Sequence, residues 1–411
     1  MQPATHQEGL PLQGITVLEL GQVIAGPFCT RLLADMGASV IKVEPPGKGD
    51  PIRSWGKSHN GSTAWWSVHA RNKQSLTLNL KHEKSRELVL KLAAQADIIV
   101  ENNKPGQLEK WGVGPDALEQ VNPQGILVRI SGYGQAGPKK DRPAFGVIGE
   151  SMGGLRYLTN HAAGVADHLP PVRVGISIGD SLAAMYGAMG ALAALNKRNQ
   201  AEEKSFQVID VALSESVLSV MEGCLPEFGL FGAIRQPTGS SLPSCAPTNA
   251  YPTADGRFIL IAANSDPLFA NLSKAMGKPE LAQDPRYSTN PERVKRMPEL
   301  DAMIAAWTRQ YTLDELEKLM DEAPVPASRI FTMEDIAQDE QYHYRKMVDE
   351  VEDPIHGKVL HYGVMPMFQG IDRRQMIRWA GPSLGQHTDQ VLSELGYSVE
   401  DIAELRAEGV I

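Results

Sequence analysis

The feature that most constrains this chain is a repeated alternation of short β-type runs with helical stretches. Ile15 to Leu20 (ITVLEL) is aliphatic and β-branched, and it leads through Gly21, Gly26 and Pro27 into a helical stretch from Phe28 to Met36. Ser39 to Glu44 (SVIKVE) follows at once as a second strand. The order then recurs: helical Glu83 to Gln95 leads into Asp97 to Glu101, and Pro115 to Val121 leads into Ile126 to Ser131. Strands joined through helices lie side by side in parallel, with the helices covering the sheet, so the expected fold class is α/β.

Beyond Ser131 the chain turns glycine-rich (GYGQAGP, then GESMGG). A long loop is expected there, over the carboxyl edge of the sheet, where open α/β sheets place their ligands. Asp180 to Lys197 reads as a helix dense in alanine and glycine, Phe206 to Ala212 as a strand, and Ser216 to Phe228 as an apolar helix. A stretch rich in proline, glycine and serine, Gln236 to Pro252, separates these from a new pattern. That pattern comprises a strand at Arg257 to Ala262 and helices around Leu268 to Met276 and Glu299 to Gln310. Strand-like Val325 to Ile330 and Lys358 to Tyr362 and a helix at Asp389 to Leu395 close the chain. The expected division is a large domain over 1–225, a smaller α/β domain with linkers over 226–330, and a return to the large domain over 331–411.

Composition narrows the function classes. A chain of 411 residues, 42% hydrophobic and 22% charged, can bury two cores. Cys29, Cys224 and Cys245 show no CxxC or CxxH spacing, which argues against a disulfide framework or a zinc site and for a reducing, cytoplasmic setting. The polar start MQPATHQEGLPLQG has no apolar core after a basic head, so it reads as a disordered lead-in rather than a secretory signal. The longest run of small and apolar residues, Leu182 to Leu195, covers 14 residues. That is too short for a bilayer core of about 30 Å, so a buried helix and no membrane partner are expected. A net charge of −9 without a basic, aromatic cluster excludes a broad nucleic-acid footprint, though a few local cations can still hold an anionic ligand.

A strand, a glycine turn, a helix and a second strand ending in Glu44 form the outline of a dinucleotide-binding unit. The turn, however, reads Gly21-Gln-Val-Ile-Ala-Gly26, with glycines only at its two ends. The GxGxxG fingerprint that lets backbone meet a pyrophosphate is missing. On this reading Gly21 and Gly26 permit a sharp turn, Pro27 starts the helix where its missing N–H is harmless, and Glu44 before Pro45-Pro46 simply ends a strand.

The segments LEL..VIAGPFCTRLLADMGASVIKVEPPGKGDPIRSWG, RNKQSLTLNLK (71–81), VENNKPGQLEKWGVG (100–114), SGYGQAGP (131–138) and SLGQHTDQVLSELGY (383–397) stand in family order across nearly the whole chain. Together they resemble the class III coenzyme A transferases of the CaiB/BaiF type, closest in pattern to succinyl-CoA:dicarboxylate transferases. The resemblance implies a Rossmann-like large domain with a parallel sheet, a smaller domain, and a homodimer of interlocked, ring-shaped subunits. It further implies CoA as substrate with no prosthetic group, and transfer from succinyl-CoA to a small dicarboxylate such as glutarate, itaconate or mesaconate.

Carried over residue by residue, the resemblance makes Asp180 the nucleophile, whose carboxylate forms an acyl anhydride and then an aspartyl-CoA thioester. The plain alternative is that Asp180 is the N-cap of the alanine-rich helix. Ile24 and Ala25 match loop residues next to the thioester. Leu78, Lys81, Asn102, Asn103, Lys110, Tyr133 and Gly134 match positions lining CoA, although core packing is a fair alternative for Ile24 and Tyr133. Arg53 and Arg173 are candidate partners for a second substrate carboxylate, and Trp55 for shaping its pocket. There are departures. Formyl-CoA:oxalate transferases carry glutamine at Ile24 and arginine at Pro45, and add a tetraglycine loop for which Gly239-Ser240-Ser241 is at best a partial stand-in. Phe145-Gly146 replaces an aromatic followed by an acid in many relatives, and the histidine base of the 2-methylacyl-CoA racemases. A racemase is the competing enzyme reading and needs a base at that place. A CoA-binding protein without catalysis would need to have lost Asp180.

Overall fold

The computed structural model describes residues 9–411, so most of the lead-in expected to be disordered lies outside the described residues. Its first compact unit comprises the chain up to Leu155, Val174–Pro226 and Asp339–Ile411. The elements that build its sheet are β1 (Thr16–Glu19), α1 (Ala25–Asp35), β2 (Ser39–Glu44), β3 (Lys73–Thr77), α2 (Ser85–Gln95), β4 (Ile98–Glu101), α3 (Pro115–Val121), β5 (Ile126–Ser131), α4 (Gly146–Met152), α5 (Ile178–Gln200), β6 (Gln207–Ala212) and α6 (Leu213–Leu218). The six strands are ordered β3-β2-β1-β4-β5-β6, and every pair is parallel.

Alternation along the strands divides the core in two. Val17, Val40, Ile98, Val100, Val128 and Ile130 face α1 and α5. Leu18, Val43, Leu76, Ile99 and Leu127 face α2, α3 and the carboxyl-terminal helices Thr388–Glu394 and Val399–Ala407. Because both faces are covered, β4 and β5 read as near-continuous aliphatic runs. The final residues Val410 and Ile411 belong to the second of these clusters.

Small residues on α5 allow it to lie close on the sheet. A methyl on Gly187 would stand 3.2 Å from both Cys29 Sγ and Ile130 Cδ1 and 3.3 Å from Val128 Cγ1. Ala183, Ala184 and Ala191 are fully buried around it. At 23 residues the helix is long and apolar enough, by length and composition, to cross a bilayer. Its alanines pack instead on α1 and the sheet as a core helix.

The second unit comprises Arg156–Arg173 and Glu227–Gln338. It holds a three-stranded antiparallel sheet with Phe258–Ala262 between Thr248–Pro252 and Ala327–Arg329. Its core gathers Tyr251, Ile259, Phe269, Leu272, Ile304 and Leu316. Three expectations need correction. Residues 146–152, read as loop, form α4, whose Gly149 and Gly153 let it approach Leu213 and Val217 on α6. The helix read over Ser216 to Phe228 is two helices, Leu213–Leu218 and Cys224–Phe231, parted by a break with Glu222 at φ 51°. Thr248–Pro252, assigned to the linker, is an edge strand; asparagine and proline disguise it, and an edge position tolerates proline.

If close packing of α5 is what Gly187 provides, Gly187→Leu should lose roughly 1–3 kcal/mol by overpacking. Chemical denaturation checks this, and an unchanged midpoint would contradict it.

Candidate functional site

In a sheet of parallel strands the returning helices begin at the carboxyl edge, and the strand order here reverses between β1 and β4. Such a switch point is where open α/β folds bind ligands. In this chain the crevice holds a protein amide. Asn102, just past β4, accepts from the Gln22 N–H at 2.8 Å and donates to the Gln22 carbonyl at 2.9 Å. A methyl on Gly21 or Gly26 would sit 2.7 or 2.8 Å from Asn102 Oδ1. The two glycines are therefore required for close approach to Asn102 rather than for the turn. The positive φ falls on Val23, at 70°. Pro27 does not open the helix either: α1 starts two residues earlier, with Ile24 as its N-cap.

Beneath this loop lies a buried ionic cluster. Glu19 and Lys42, register partners on β1 and β2, pair at 2.7 Å. Glu19 also takes Lys73 at 2.8 Å and the Thr30 hydroxyl at 2.5 Å. Lys42 reaches Asp50 at 2.8 Å and the Gly21 carbonyl at 3.0 Å, and Lys73 reaches the Pro27 carbonyl at 2.7 Å. Burial alone would raise the Glu19 carboxyl, but the two ammoniums outweigh it and hold Glu19 below its ordinary value. Burial would likewise lower Lys42, yet Asp50, Glu19 and Glu44 raise it. Lys73, with Glu19 as its main partner, is pulled down by burial. Glu44 does more than end a strand. It is fully buried and accepts from Ser75 Oγ at 2.6 Å, the Asp50 N–H at 2.9 Å and Arg53 at 2.7 and 2.8 Å.

Asp180 is not the N-cap of its helix. Ser177 takes that place, and Asp180 is the third residue of the first turn of α5, half-buried. There it meets the macrodipole's positive end and the backbone N–H groups without intrahelical acceptors, both of which favour a carboxylate. The start of α4 is pressed against it: a methyl on Gly146 would stand 2.0 Å from Asp180 Oδ2, and one on Gly179 would stand 2.8 Å from the Gly146 carbonyl. Glycine at 146 thus lets α4 stand against the carboxylate of Asp180. Glu150, one turn along α4, is buried beside Gly179. Phe145 is 73% exposed.

The remaining expected residues are distributed as follows. Ile24 packs with Ile52, Trp66 and Ala70, and Leu78 is buried in the second core cluster, so the side chains of both are core. Asn103 ties the end of β4 to the Leu20 carbonyl at 3.3 Å. Lys81 and Lys110 are exposed cations. Tyr133 is half-buried, and Gly134, at φ 85°, lies against Asp210, which accepts from the Gln135 N–H at 2.8 Å. Nearby, Ser131 Oγ and Gln135 Nε2 are buried without a hydrogen-bond partner among the described residues. Arg53, expected to meet a substrate carboxylate, instead closes its fork on Glu44 and lies 3.5 Å from the Trp66 ring centroid. Arg173 is exposed and belongs to the second unit.

Trp55 is half of an aromatic shelf that sequence reading found only in part. It meets Trp65 edge-on at 6.0 Å, and Trp65 stacks on His69 at 6.0 Å. His69 is half-buried, and burial with Arg31 and Lys73 nearby pushes its imidazole down to about 3. His361, hydrogen-bonded to Ser67 at 2.9 Å, is pushed down to about 4 by burial and Arg71.

Comparison with known proteins gives a consistent result. The profile described as CoA-transferase family III matches residues 12–388. The chain is 47% identical over 407 residues to the succinyl-CoA–D-citramalate CoA-transferase of Chloroflexus aurantiacus, covering 98% of each. It is 32% identical to the human succinyl-CoA:glutarate CoA-transferase, covering 98% of this chain and 90% of that one. Among solved structures, a CaiB/BaiF family protein from Brucella suis aligns with a TM-score of 0.80 at 32% identity, covering 94% of this chain and 99% of that one.

The two depressed imidazoles set a pH dependence. Between their ordinary value of 6.5 and about 4 the unfolded chain binds more protons than the folded one, so stability rises with pH in that window and is lost as pH falls. Each imidazole contributes up to about 1.4 kcal/mol per pH unit. His69→Phe, which keeps the stack on Trp65, should flatten the slope of unfolding free energy from pH 6.5 to 4. Equal slopes for the two proteins would contradict the assignment.

Proposed function

Since the chain belongs to CoA-transferase family III, we propose that it moves CoA from succinyl-CoA to a C4 or C5 dicarboxylic acid, with Asp180 as the nucleophile. Citramalate is the first candidate acceptor, ahead of mesaconate, glutarate and itaconate, because the relative at 47% identity bears that name while the glutarate relative stands at 32%. The observation that carries the reading is the setting of Asp180. It is an aspartate in the first turn of a helix, with Gly146 of α4 against its Oδ2 where no side chain could stand, and Gly179 letting the two helix starts meet at the Gly146 carbonyl.

The reaction needs no redox step. An Asp180 oxygen attacks the acyl carbon of succinyl-CoA and expels the CoA thiolate, leaving a mixed anhydride. The thiolate attacks the Asp180 carbonyl and releases succinate, giving an aspartyl-CoA thioester. The acceptor carboxylate then attacks that thioester and expels the CoA thiolate, forming a second mixed anhydride, and the thiolate attacks the acceptor's acyl carbon with the Asp180 carboxylate as leaving group. Each tetrahedral step places negative charge on an oxygen, and amides at a helix start suit that charge. Ile24 and Ala25 border the thioester in this reading, while Tyr133, Gly134 and the hydrogen-bonding capacity of Ser131 and Gln135 border the CoA arm. Lys81 and Lys110 offer point charges to its phosphates, and the exposed Trp55 and Trp65 wall the acid pocket. A homodimer is the proposed working form. In keeping with it, helix Cys224–Phe231 leaves Leu225, Phe228, Leu230 and Phe231 between 53% and 77% exposed, an apolar surface fit for a second copy.

Purified protein incubated with succinyl-CoA and a panel of free acids should yield citramalyl-CoA or another dicarboxyl-CoA by mass. Asp180→Ala should lower that rate by more than ~10³-fold without altering the unfolding midpoint appreciably. Transfer at an undiminished rate by Asp180→Ala would exclude this nucleophile. Racemisation of a chiral 2-methylacyl-CoA without any transfer would replace the reaction class.

A further inference from the structure

Three consecutive residues of the loop after β1 are each held by a different side chain, one from within β2, one just past β4 and one from the turn beyond β2. Lys42 donates to the Gly21 carbonyl at 3.0 Å, Asn102 clamps the Gln22 peptide from both sides, and the two Asp50 oxygens accept from the Val23 N–H at 3.1 and 3.2 Å. Val23 stands at φ 70°, where a β-branched residue is an outlier. A turn that needs only a positive φ is met by glycine or asparagine without any tether. Here the chain places its glycines at 21 and 26 for close approach to Asn102 and leaves valine at the strained position. Such strain persists where surrounding contacts over-determine it.

Those contacts lead into the buried cluster. Asp50 also pairs with Lys42 at 2.8 Å, and Lys42 with Glu19 at 2.7 Å. Directly after Val23 the chain enters α1: Ile24 is the N-cap, and the Ile24 carbonyl accepts from the Phe28 N–H at 2.7 Å. The backbone angle at Val23 therefore sets where Ile24 and Ala25 lie. We propose that Asp50, supported by Lys42, is a positioning residue for CoA transfer, holding Val23 left-handed so that the backbone at Ile24 and Ala25, whose side chains are buried in the core, is presented to the thioester. This rests on the function proposed above.

The test is a mutant cycle on the full-length protein, with kcat and KM for succinyl-CoA measured beside amide hydrogen exchange across residues 20–28. Asp50→Asn keeps an acceptor but loses the charge. It should lower kcat by about 10²-fold, the scale of a misplaced reacting group, with KM moved less than about threefold, and should speed exchange in the loop. Val23→Gly accepts the positive φ without a tether, so adding it to Asp50→Asn should restore at least about tenfold of the lost kcat, which relief of a general stability defect would not do. Should Asp50→Asn fail to fold, Asp50→Glu retains the Lys42 pair while displacing the acceptor by one methylene, and it should show the same kcat loss to a lesser degree. Wild-type kcat in Asp50→Asn or Asp50→Glu, or a double mutant no better than Asp50→Asn, overturns the proposal while leaving the transferase reading intact. A wild type that transfers no CoA at all overturns that reading itself, and the proposal with it.

Discussion

The structure of the large unit depends on one buried contact, the Glu19 carboxylate between the ammoniums of Lys42 and Lys73. All three side chains are almost wholly removed from water, on three adjacent strands, β1, β2 and the edge strand β3. Removing one member of such a group costs roughly 3–5 kcal/mol, because it leaves the others buried without a counter-charge. The cluster is balanced: Glu19, Glu44 and Asp50 stand against Lys42, Lys73 and Arg53. The spare hydrogen-bonding capacity of its cations goes to backbone carbonyls at Gly21, where the loop leaves β1, and at Pro27, in the first turn of α1. A hydrophobic replacement of similar volume could hold the strands together, but it could not aim that loop.

The same edge of the sheet brings Asp180 to the beginning of α5. Its chemistry rests on two simple demands. A carboxylate that acts as nucleophile must remain ionised, which the helix start favours. It must also keep a face open to a bulky thioester, and Asp180 is only half-buried, with the start of α4 packed against one side of it. A side chain with a β-carbon at 146 would close on Oδ2.

Much of this was legible in the sequence, and the exceptions have physical causes. β2, β5 and α3 fall on the expected residues because aliphatic runs bounded by glycine, proline and polar residues have few other readings. The glycines at 21 and 26 were read as turn residues because local sequence shows φ preferences and hides a neighbour that arrives 80 positions later, Asn102. Glu44 and Arg53 were read singly, as a strand end and a substrate partner, although they satisfy each other. A signal for the cluster was available: Lys42 sits inside an aliphatic strand of a sheet covered on both faces, where a charge requires a buried partner. The sequence of α4 resembles loop because its glycines, which serve contacts with α6, mimic turn composition. His69 gave no sequence signal, since its depressed imidazole results from burial and from cations on other elements.

The central claim is that Asp180 carries CoA covalently during turnover. Mixing the protein with succinyl-CoA, quenching in acid and digesting with trypsin would release residues 174–197 as one peptide, bounded by Arg173 and Lys197. The expected result is a CoA adduct on that peptide, placed on Asp180 by fragmentation and discharged on adding the acceptor acid. An adduct on any other residue, or none while CoA transfer proceeds, would contradict it.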